Sequence, residues 1–366
     1  MNSPFVGKIN SKIVLFYKLL YNFTLQKSIA YYIISLGLYK NLLKYGGYVK
    51  YCIGVDLGGT NIAAGLVDLK EEKIILKKSI KTNAPRPCAE ISADIAGLCR
   101  DICASYGITL EDVEWIGVGV PAIIKDGTVV VAVNLEWYDE PFDKILTDLT
   151  GRPTFVTNDA NAAAYAEAKW GCGAGESSVI AVTLGTGVGG GIILNGKIWE
   201  GFNGSAAELG HMVIEANGRW CGCGQRGCLE AYCSATALIS EAKRMAKLYR
   251  DSYMRTLVEE NGGKMDGIIP FKAAEMGDLA ATQVVNDYIG YLAIGIANII
   301  NVFQPAVVCI GGGISGQGES LMAPLREKLQ YISFGTKDMR TKVVVADFKY
   351  DAGIIGAALL GLMEEN

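Results

Sequence analysis

This chain of 366 residues is poor in histidine, with His211 as its single one. It also has no excess of basic residues, because 34 lysines and arginines stand against 38 aspartates and glutamates. The resulting net charge of -4 gives no sign of a nucleic-acid partner, which would favour a basic face. Half of the residues (50%) are apolar, which is enough for a large core and for two lobes.

Long apolar runs are also missing from the basic first segment, residues 1–48. Its longest run, residues 29–39, is interrupted by Ser35 and Gly37, and a bilayer crossing needs about 20 predominantly apolar residues. No small-residue cleavage site follows the run, which argues against a signal peptide. Lysines alternate with apolar residues there, so an amphipathic membrane anchor is an open alternative. For the chain as a whole we expect no membrane partner.

Residues 1–48 differ in composition from the rest, with six lysines and no aspartate, glutamate or arginine. The residues that dominate the segment are those of A/T-rich codons. Gly46-Gly47 can be encoded by GGAGGN, a bacterial ribosome-binding sequence, and Val49 by GTG, an alternative start. We therefore expect an untranslated extension and a natural start at Val49. A tryptic peptide from before Val49 in the natural protein would contradict this.

The ten cysteines form no disulfide-like framework, which favours a reducing compartment, here the cytoplasm. Three of them follow the single histidine with the spacing His211-x9-Cys221-x-Cys223-x4-Cys228. Thiolates and imidazole are natural tetrahedral ligands of Zn²⁺, so these four residues predict a zinc site rather than a core histidine among chance cysteines. No position is left for a catalytic water, so the zinc is expected to be structural and to hold the loop before Glu230.

Strands alternate with helices from Lys50 onward, which indicates an α/β fold. A strand, glycine turn, strand unit at residues 51–69 returns at residues 177–196, and this repeat predicts two related lobes. We expect an N-terminal lobe at 49–159 and a C-terminal lobe with the zinc loop at 160–352. A closing helix at 353–366 is expected to pack back on the N-terminal lobe.

Three glycine clusters each follow an apolar strand, at residues 56–60 (DLGGT), 184–187 (LGTG) and 311–313 (GGG). Backbone N–H groups in such turns can bind phosphate, and Asp56 beside the first turn can hold Mg²⁺ directly or through water. Neither the P-loop nor the Rossmann pattern is present. An ordinary hairpin turn explains any one cluster, but the three together predict a nucleotide site.

The motifs DLGGTN, GVGVP, TNDANAAAYAE, LGTGVGGG, ELGH and CGCGQRGCLE occur in the order typical of the ROK family of repressors, open-reading-frame proteins and sugar kinases. The chain resembles this family from about Lys50 to its C-terminus, and it is most similar to bacterial ROK glucokinases. The resemblance implies a two-lobed actin-like ATPase fold, a duplicated ribonuclease H-like unit with a central cleft. One departure is Ala122 after Pro121, where the family commonly has glycine.

The resemblance also implies roles for single residues. Asp159 matches the catalytic base, and His211 matches a residue with one ring nitrogen on zinc and the other facing the sugar. The implied sugar ligands are Asn134, Asn158, Glu208, His211 and Glu230. The implied nucleotide-site residues are Asp56, Gly58, Gly59, Thr60, Asn61, Thr186, Gly187 and Gly312. From the residues alone, Asn158 or Asp159 could equally be the N-cap of the following helix, and the two glutamates could be surface carboxylates.

The implied activity is transfer of phosphate from Mg-ATP to a hexose, with glucose 6-phosphate as the product of a glucokinase. A kinase for N-acetylmannosamine, fructose or allose is the main alternative, and a sugar-sensing ROK regulator is another. A repressor is disfavoured because residues 1–48 are too short for a winged-helix domain and lack arginine. The resemblance implies a homo-oligomer, a dimer or a tetramer.

Overall fold

The architecture is taken from a computed structural model of the chain, in which residues 50–334 and 341–364 are described. The expectations about residues 1–48 and the start at Val49 lie outside the described residues. The strands are β1 (Tyr51–Leu57), β2 (Asn61–Asp68), β3 (Lys73–Lys81), β4 (Val113–Val120), β5 (Ile123–Lys125), β6 (Thr128–Ala132), β7 (Trp137–Glu140), β8 (Thr154–Asn158), β9 (Ser178–Leu184), β10 (Val188–Leu194), β11 (Lys197–Ile198), β12 (Val307–Gly311) and β13 (Lys342–Val345).

Helices separate and cover these strands, and the longest of them follows the zinc loop. Within the described ranges, a search of the helices finds no segment with the length and apolar character of a bilayer crossing. The α-helices are α1 (Cys88–Tyr106), α2 (Phe142–Thr150), α3 (Asp159–Lys169), α4 (Glu230–Cys233), α5 (Ala235–Leu248), α6 (Tyr253–Glu260), α7 (Ile269–Glu275), α8 (Leu279–Phe303), α9 (Glu319–Ile332), α10 (Ala352–Ala358) and α11 (Gly361–Glu364).

Two five-stranded sheets share one topology. The first has the order β3-β2-β1-β4-β8, with β1 antiparallel to β2 and parallel to β4. The second has the order β11-β10-β9-β12-β13, with β9 antiparallel to β10 and parallel to β12. The central strands are nearly continuous apolar runs because helices cover both of their faces. This duplication confirms the predicted α/β class.

A small antiparallel sheet, β5-β6-β7, and helix α2 lie between β4 and β8. The sequence pattern did not predict these elements, because the strands span only three to five residues and mix polar with apolar side chains. Asn134 lies between β6 and β7, close to the first glycine turn: a Cβ on Gly59 would be 3.8 Å from the Asn134 Cβ. The insertion therefore places one predicted sugar ligand beside the nucleotide turn.

The C-terminal segment forms two short helices rather than the single one predicted. Helix α10 packs on β1 and β4, where a Cβ on Gly54 would overlap the carbonyl oxygen of Ile354. The Trp115 indole N–H donates to the Ala358 carbonyl at 2.8 Å, and α11 begins where Gly361 lies against the Trp115 ring. The Ala358 carbonyl thus accepts from the indole, and the Leu362 N–H donates to the Leu359 carbonyl instead of continuing the α-helical pattern. The boundaries of the two lobes stay a prediction.

Candidate functional site

A cavity of about 790 Å³ opens at the carboxyl ends of β1, β4, β8 and β9. Crevices at this edge of an α/β sheet are the usual ligand sites, because polar loop residues converge there. Among the predicted residues, the cavity brings together Asp56, Asn134, Asn158, Asp159, Gly187, Glu208, His211 and Glu230. The predicted base, all five predicted sugar ligands and two nucleotide-site residues therefore line one cavity.

The junction of β8 and α3 places the candidate base. Asn158 is the N-cap of α3, since its Oδ1 accepts hydrogen bonds from the N–H groups of Ala160 (2.9 Å) and Asn161 (3.2 Å). The Asn158 side-chain amide donates to the Ala122 carbonyl at 3.3 Å. Asp159 is the first helical residue, so capping does not require its carboxylate. Both Asn158 and Asp159 nevertheless line the cavity.

Burial raises the pKa of Asp159, and the backbone N–H of Ala160, 2.8 Å from the Asp159 Oδ1, opposes the rise. A desolvated carboxylate binds a proton more readily, which is the property that a general base for a sugar hydroxyl requires.

Asp56 faces the same cavity from the end of β1. Burial, and then the negative charge of Asp159, raise its pKa to about 6. Among the described residues, no group donates a hydrogen bond to the Asp56 carboxylate. A desolvated carboxylate without a protein donor, beside a second carboxylate, fits the oxygen-rich environment that Mg²⁺ prefers. The environment of Asp56 therefore fits its predicted role as a Mg²⁺ ligand, and this role stays a prediction.

Each of the first two glycine turns is fixed by hydrogen bonds. In the first, Gly58 N–H donates to the Asn61 carbonyl at 2.9 Å. In the second, Gly185 N–H donates to the Gly187 carbonyl at 3.0 Å, and the Thr236 hydroxyl donates to the Thr186 carbonyl at 2.7 Å. These hydrogen bonds fix the turns at the carboxyl ends of β1 and β9. Phosphate-binding loops would lie there.

The third glycine cluster lies beside the second turn. Gly312 has a φ of 81°, and a Cβ there would be 2.5 Å from the Leu184 carbonyl oxygen. Only glycine satisfies both this backbone conformation and this close approach. Six predicted nucleotide residues belong to the three turns but do not line the cavity, and their contacts with nucleotide stay predictions: Gly58, Gly59, Thr60, Asn61, Thr186 and Gly312.

The predicted zinc ligands form one cluster. The ligand atoms of His211, Cys221, Cys223 and Cys228 all lie within 4.8 Å of one another. The Cys223 and Cys228 sulfurs are 3.7 Å apart, and the Cys221 sulfur is 3.6 Å from the His211 Nδ1. A tetrahedron with Zn–S bonds of about 2.3 Å has sulfur–sulfur edges of about 3.7 Å, so the donor set fits Zn²⁺. A backbone hydrogen bond from Gln225 lowers the pKa of the Cys223 thiol, which favours the thiolate, whereas burial raises the pKa of Cys228 and raises that of Cys221 to about 12. A bound metal would have to offset the two rises, because metal binding requires thiolates.

The zinc cluster adjoins the sugar side of the cavity through His211 and Glu230. The His211 Nε2 lies 3.9 Å from a Glu208 carboxylate oxygen, while its Nδ1 faces Cys221. The Glu230 Oε1 is 3.4 Å from the Cys221 sulfur, and its Oε2 accepts the Val188 N–H at 3.0 Å. One imidazole and one carboxylate therefore connect the loop of the predicted zinc ligands to the cavity, and the implied contact of His211 with a sugar stays a prediction.

A second group of possible ligands, Glu167, Cys172 and Cys309, lies outside the cavity. The Glu167 carboxylate already accepts backbone N–H groups from Cys172 (3.2 Å), Asp347 (3.1 Å) and Phe348 (2.9 Å). This carboxylate is occupied by structural hydrogen bonds, so the group does not offer a free donor set.

The cavity also contains residues that the sequence analysis did not single out. They include Thr183 at the end of β9 and Lys349 and Tyr350 before α10. Lys349 has a φ of 47°, which is uncommon for a residue with a side chain. The only sequence feature that could have indicated Lys349 was its position shortly before the closing helix. That position alone does not indicate a ligand contact.

Comparison with known proteins gives matches to one family over most of the chain. The ROK family model matches residues 52–364. The glucokinase of Thermotoga maritima is 40% identical over 313 residues, which cover 84% of this chain and 95% of that protein. A xylose repressor of Caldicellulosiruptor bescii is 35% identical over 254 residues, which cover 68% of this chain and 62% of the repressor.

A solved structure extends the match to the fold. The ROK family glucokinase from Streptomyces griseus, in complex with glucose and AMPPNP, has a TM-score of 0.71 and 36% identity, and covers 85% of this chain and 98% of that one. The likeness confirms the predicted actin-like ATPase fold.

Proposed function

The chain belongs to the ROK family, and we propose that it is an ATP-dependent hexokinase that phosphorylates glucose to glucose 6-phosphate. The observation that carries the proposal is the single cavity in which Asp159 lies among the predicted sugar ligands and beside Asp56. A base between a site for hydroxyl groups and a site for phosphate is the arrangement that transfer of phosphate to a sugar requires.

In the proposed reaction, the side chains of Asn134, Glu208 and His211 hold the sugar by its hydroxyl groups. Asp159 accepts the proton of the attacking hydroxyl while that oxygen forms a bond to the γ-phosphorus and the bond to the β–γ bridging oxygen breaks. ADP leaves with the released electron pair. Mg²⁺ held at Asp56 would neutralise charge on the phosphate oxygens.

We assign the zinc cluster a structural role, with the imidazole of His211 oriented by its Nδ1. A metal at Nδ1 fixes the proton of a neutral imidazole on Nε2, which then can donate to a sugar oxygen. The four predicted ligands fill a tetrahedral site and leave no position for a catalytic water.

Glucose is proposed because the glucokinase of Thermotoga maritima is covered over 95% of its length at 40% identity, whereas the xylose repressors are covered over 62–80% of theirs at 29–35% identity. The presence of a base in the cavity also favours a kinase over a sugar sensor. We propose cytoplasmic function, where ATP is available and the free thiols stay reduced. A dimer or tetramer is proposed from the resemblance alone. The division into lobes at residue 159 is proposed from the repeated strand, glycine turn, strand unit and from the resemblance.

The test is ADP release from Mg-ATP by the full chain, with and without glucose. Strong release that depends on glucose supports the proposal. If ADP is released only with fructose, allose or N-acetylmannosamine, that sugar is the substrate instead of glucose. If no sugar of the panel causes release but calorimetry detects sugar binding, the protein is a sugar-sensing regulator and the kinase proposal fails.

A further inference from the structure

Carboxylates dominate the charge of the cavity. Asp56, Asp159, Glu208 and Glu230 line it, and the only lysine or arginine among its lining residues in the described part of the chain is Lys349. ATP would bring several further negative charges to the same place. A protein cation beside the phosphates would stabilise the bound nucleotide, and the chain has no P-loop lysine for this purpose.

Lys349 lies at the nucleotide end of the cavity. It begins the 3-10 turn Lys349–Asp351, which leads directly into α10. Within α10, Gly353 is so close to Asp56 that a Cβ would lie 3.0 Å from the Asp56 carboxylate. The zinc loop, Glu208 and His211 belong to the sugar end. Lys349 therefore lies on the side of the cavity that we assign to the phosphates.

The turn that carries Lys349 is fixed on both sides. Before it, the buried Glu167 carboxylate accepts the N–H groups of Asp347 (3.1 Å) and Phe348 (2.9 Å). After it, Asp351 forms an ion pair with Lys77. These contacts hold Lys349 at its φ of 47°, a left-handed conformation that is sterically unfavourable for a residue with a side chain. Strained backbone at a cavity wall is typical of functional sites.

The Lys349 ammonium is available for a ligand. Within residues 50–334 and 341–364 it forms no ion pair, whereas its neighbours Lys77 and Lys342 pair with Asp351 and Glu176. We propose that Lys349 binds the γ-phosphate of ATP and stabilises its charge during transfer to the sugar, an inference that rests on the proposed kinase function. Lysine suits this role as a point charge on a flexible stem.

The test compares Lys349→Met with wild type in nucleotide binding without sugar and in turnover. Calorimetry should show AMPPNP binding weakened about 10- to 100-fold, ADP binding weakened less and AMP binding unchanged. In the kinase assay, kcat/KM for ATP should fall by a similar factor while the KM for the sugar stays within about two-fold. Lys349→Arg should recover part of the loss.

Lys342→Met is the matched control, because it removes the same charge from a nearby strand outside the cavity lining. It should bind AMPPNP as wild type does. Equal AMPPNP affinity of Lys349→Met and wild type would overturn the assignment, as would a loss shared equally with AMP. If wild type phosphorylates no hexose but Lys349→Met still loses AMPPNP affinity, the kinase proposal fails and the phosphate contact stands.

Discussion

At the scale of single residues, the site depends on two carboxylates that face one cavity. Burial raises the pKa of both Asp159 and Asp56, and the charge of Asp159 adds to the rise at Asp56. In the part of the chain that the structure describes, neither group forms an ion pair with a basic side chain. The two ionised aspartates therefore reduce the stability of the folded protein at neutral pH.

Asp159→Asn removes the base and keeps the shape of the side chain. We expect kcat to fall by about 10²–10⁴-fold with an unchanged circular dichroism spectrum. In wild type, kcat/KM should fall on the acid side at a pH above the ordinary range of an aspartate, because the raised pKa of Asp159 protonates the base earlier. Asp148→Asn, an exposed aspartate of α2, is the control and should keep full activity. An unchanged kcat in Asp159→Asn would refute the role.

Asp56→Asn should stabilise the protein while reducing its activity. The folded pKa of Asp56, about 6, lies above the unfolded value, so its favourable contribution is complete only below about pH 4 and is lost as the pH rises through 6. At pH 8, without Mg²⁺, the variant should gain about 1–3 kcal/mol in unfolding free energy over wild type. Urea unfolding at pH 8 and pH 4.5 measures this. A gain of equal size at both values would contradict the assigned pKa.

At the scale of elements, the loop from His211 to Cys228 connects the predicted zinc ligands to the part of the cavity that we assign to the sugar. The loop has little regular structure, and apart from Met212 and Ile214, which pack against the core, the four predicted zinc ligands are the side chains that would tie it together. Glu230, at the start of α4, touches the loop at Cys221 and the second glycine turn at Val188. Displacement of the loop should consequently change sugar binding before it changes nucleotide binding.

Cys223→Ser should reduce bound zinc well below one ion per chain and raise the KM for the sugar about tenfold, with a smaller effect on the KM for ATP. Elemental analysis and steady-state kinetics give the two readouts. Cys88→Ser changes a buried thiol outside the cluster and should keep its zinc. Full zinc content in Cys223→Ser would exclude this cysteine as a ligand.

At the scale of the whole molecule, the closing helix α10 binds the first sheet and α3 together. Glycines make this packing possible: a Cβ on Gly117 would overlap the Ala357 carbonyl, and one on Gly356 would overlap the Ala162 carbonyl. Backbone therefore lies on backbone without side chains between them. The same packing places Gly353 against Asp56 and carries Lys349 into the cavity.

Gly54→Ala should destabilise the protein by about 3 kcal/mol or more. Its Cβ would overlap the backbone of α10, and the close-packed core leaves no space into which that backbone could move. Gly97→Ala is the matched control, since a Cβ at this exposed position of α1 meets nothing within 4 Å. It should gain about 0.5–1 kcal/mol from higher helix propensity. Thermal unfolding of both variants compares them, and similar melting temperatures would disprove the close packing.

The spacing of residues along the chain was sufficient to predict some features of the fold and of the site. The strand, glycine turn, strand units and the zinc ligands could be predicted because each depends on residues close together in the chain. The family resemblance, rather than spacing, supplied the sugar ligands and the base. From the residues alone, either Asn158 or Asp159 could have been the N-cap of α3. The folded backbone decided it, because only Asn158 has the extended conformation that directs its side-chain oxygen to the first turn.

The sequence by itself determined the α/β class, the zinc cluster and the three glycine turns, since these follow from periodicity and from short-range chemistry. Only the tertiary structure decided which residues share the cavity. Burial at the end of β1, followed by the charge of Asp159 on the far side of β4, raises the pKa of Asp56. Lys349 lines the cavity because α10 packs across Gly54 and Gly117. Such contacts join distant parts of the chain, and their energies depend on burial that no local pattern contains.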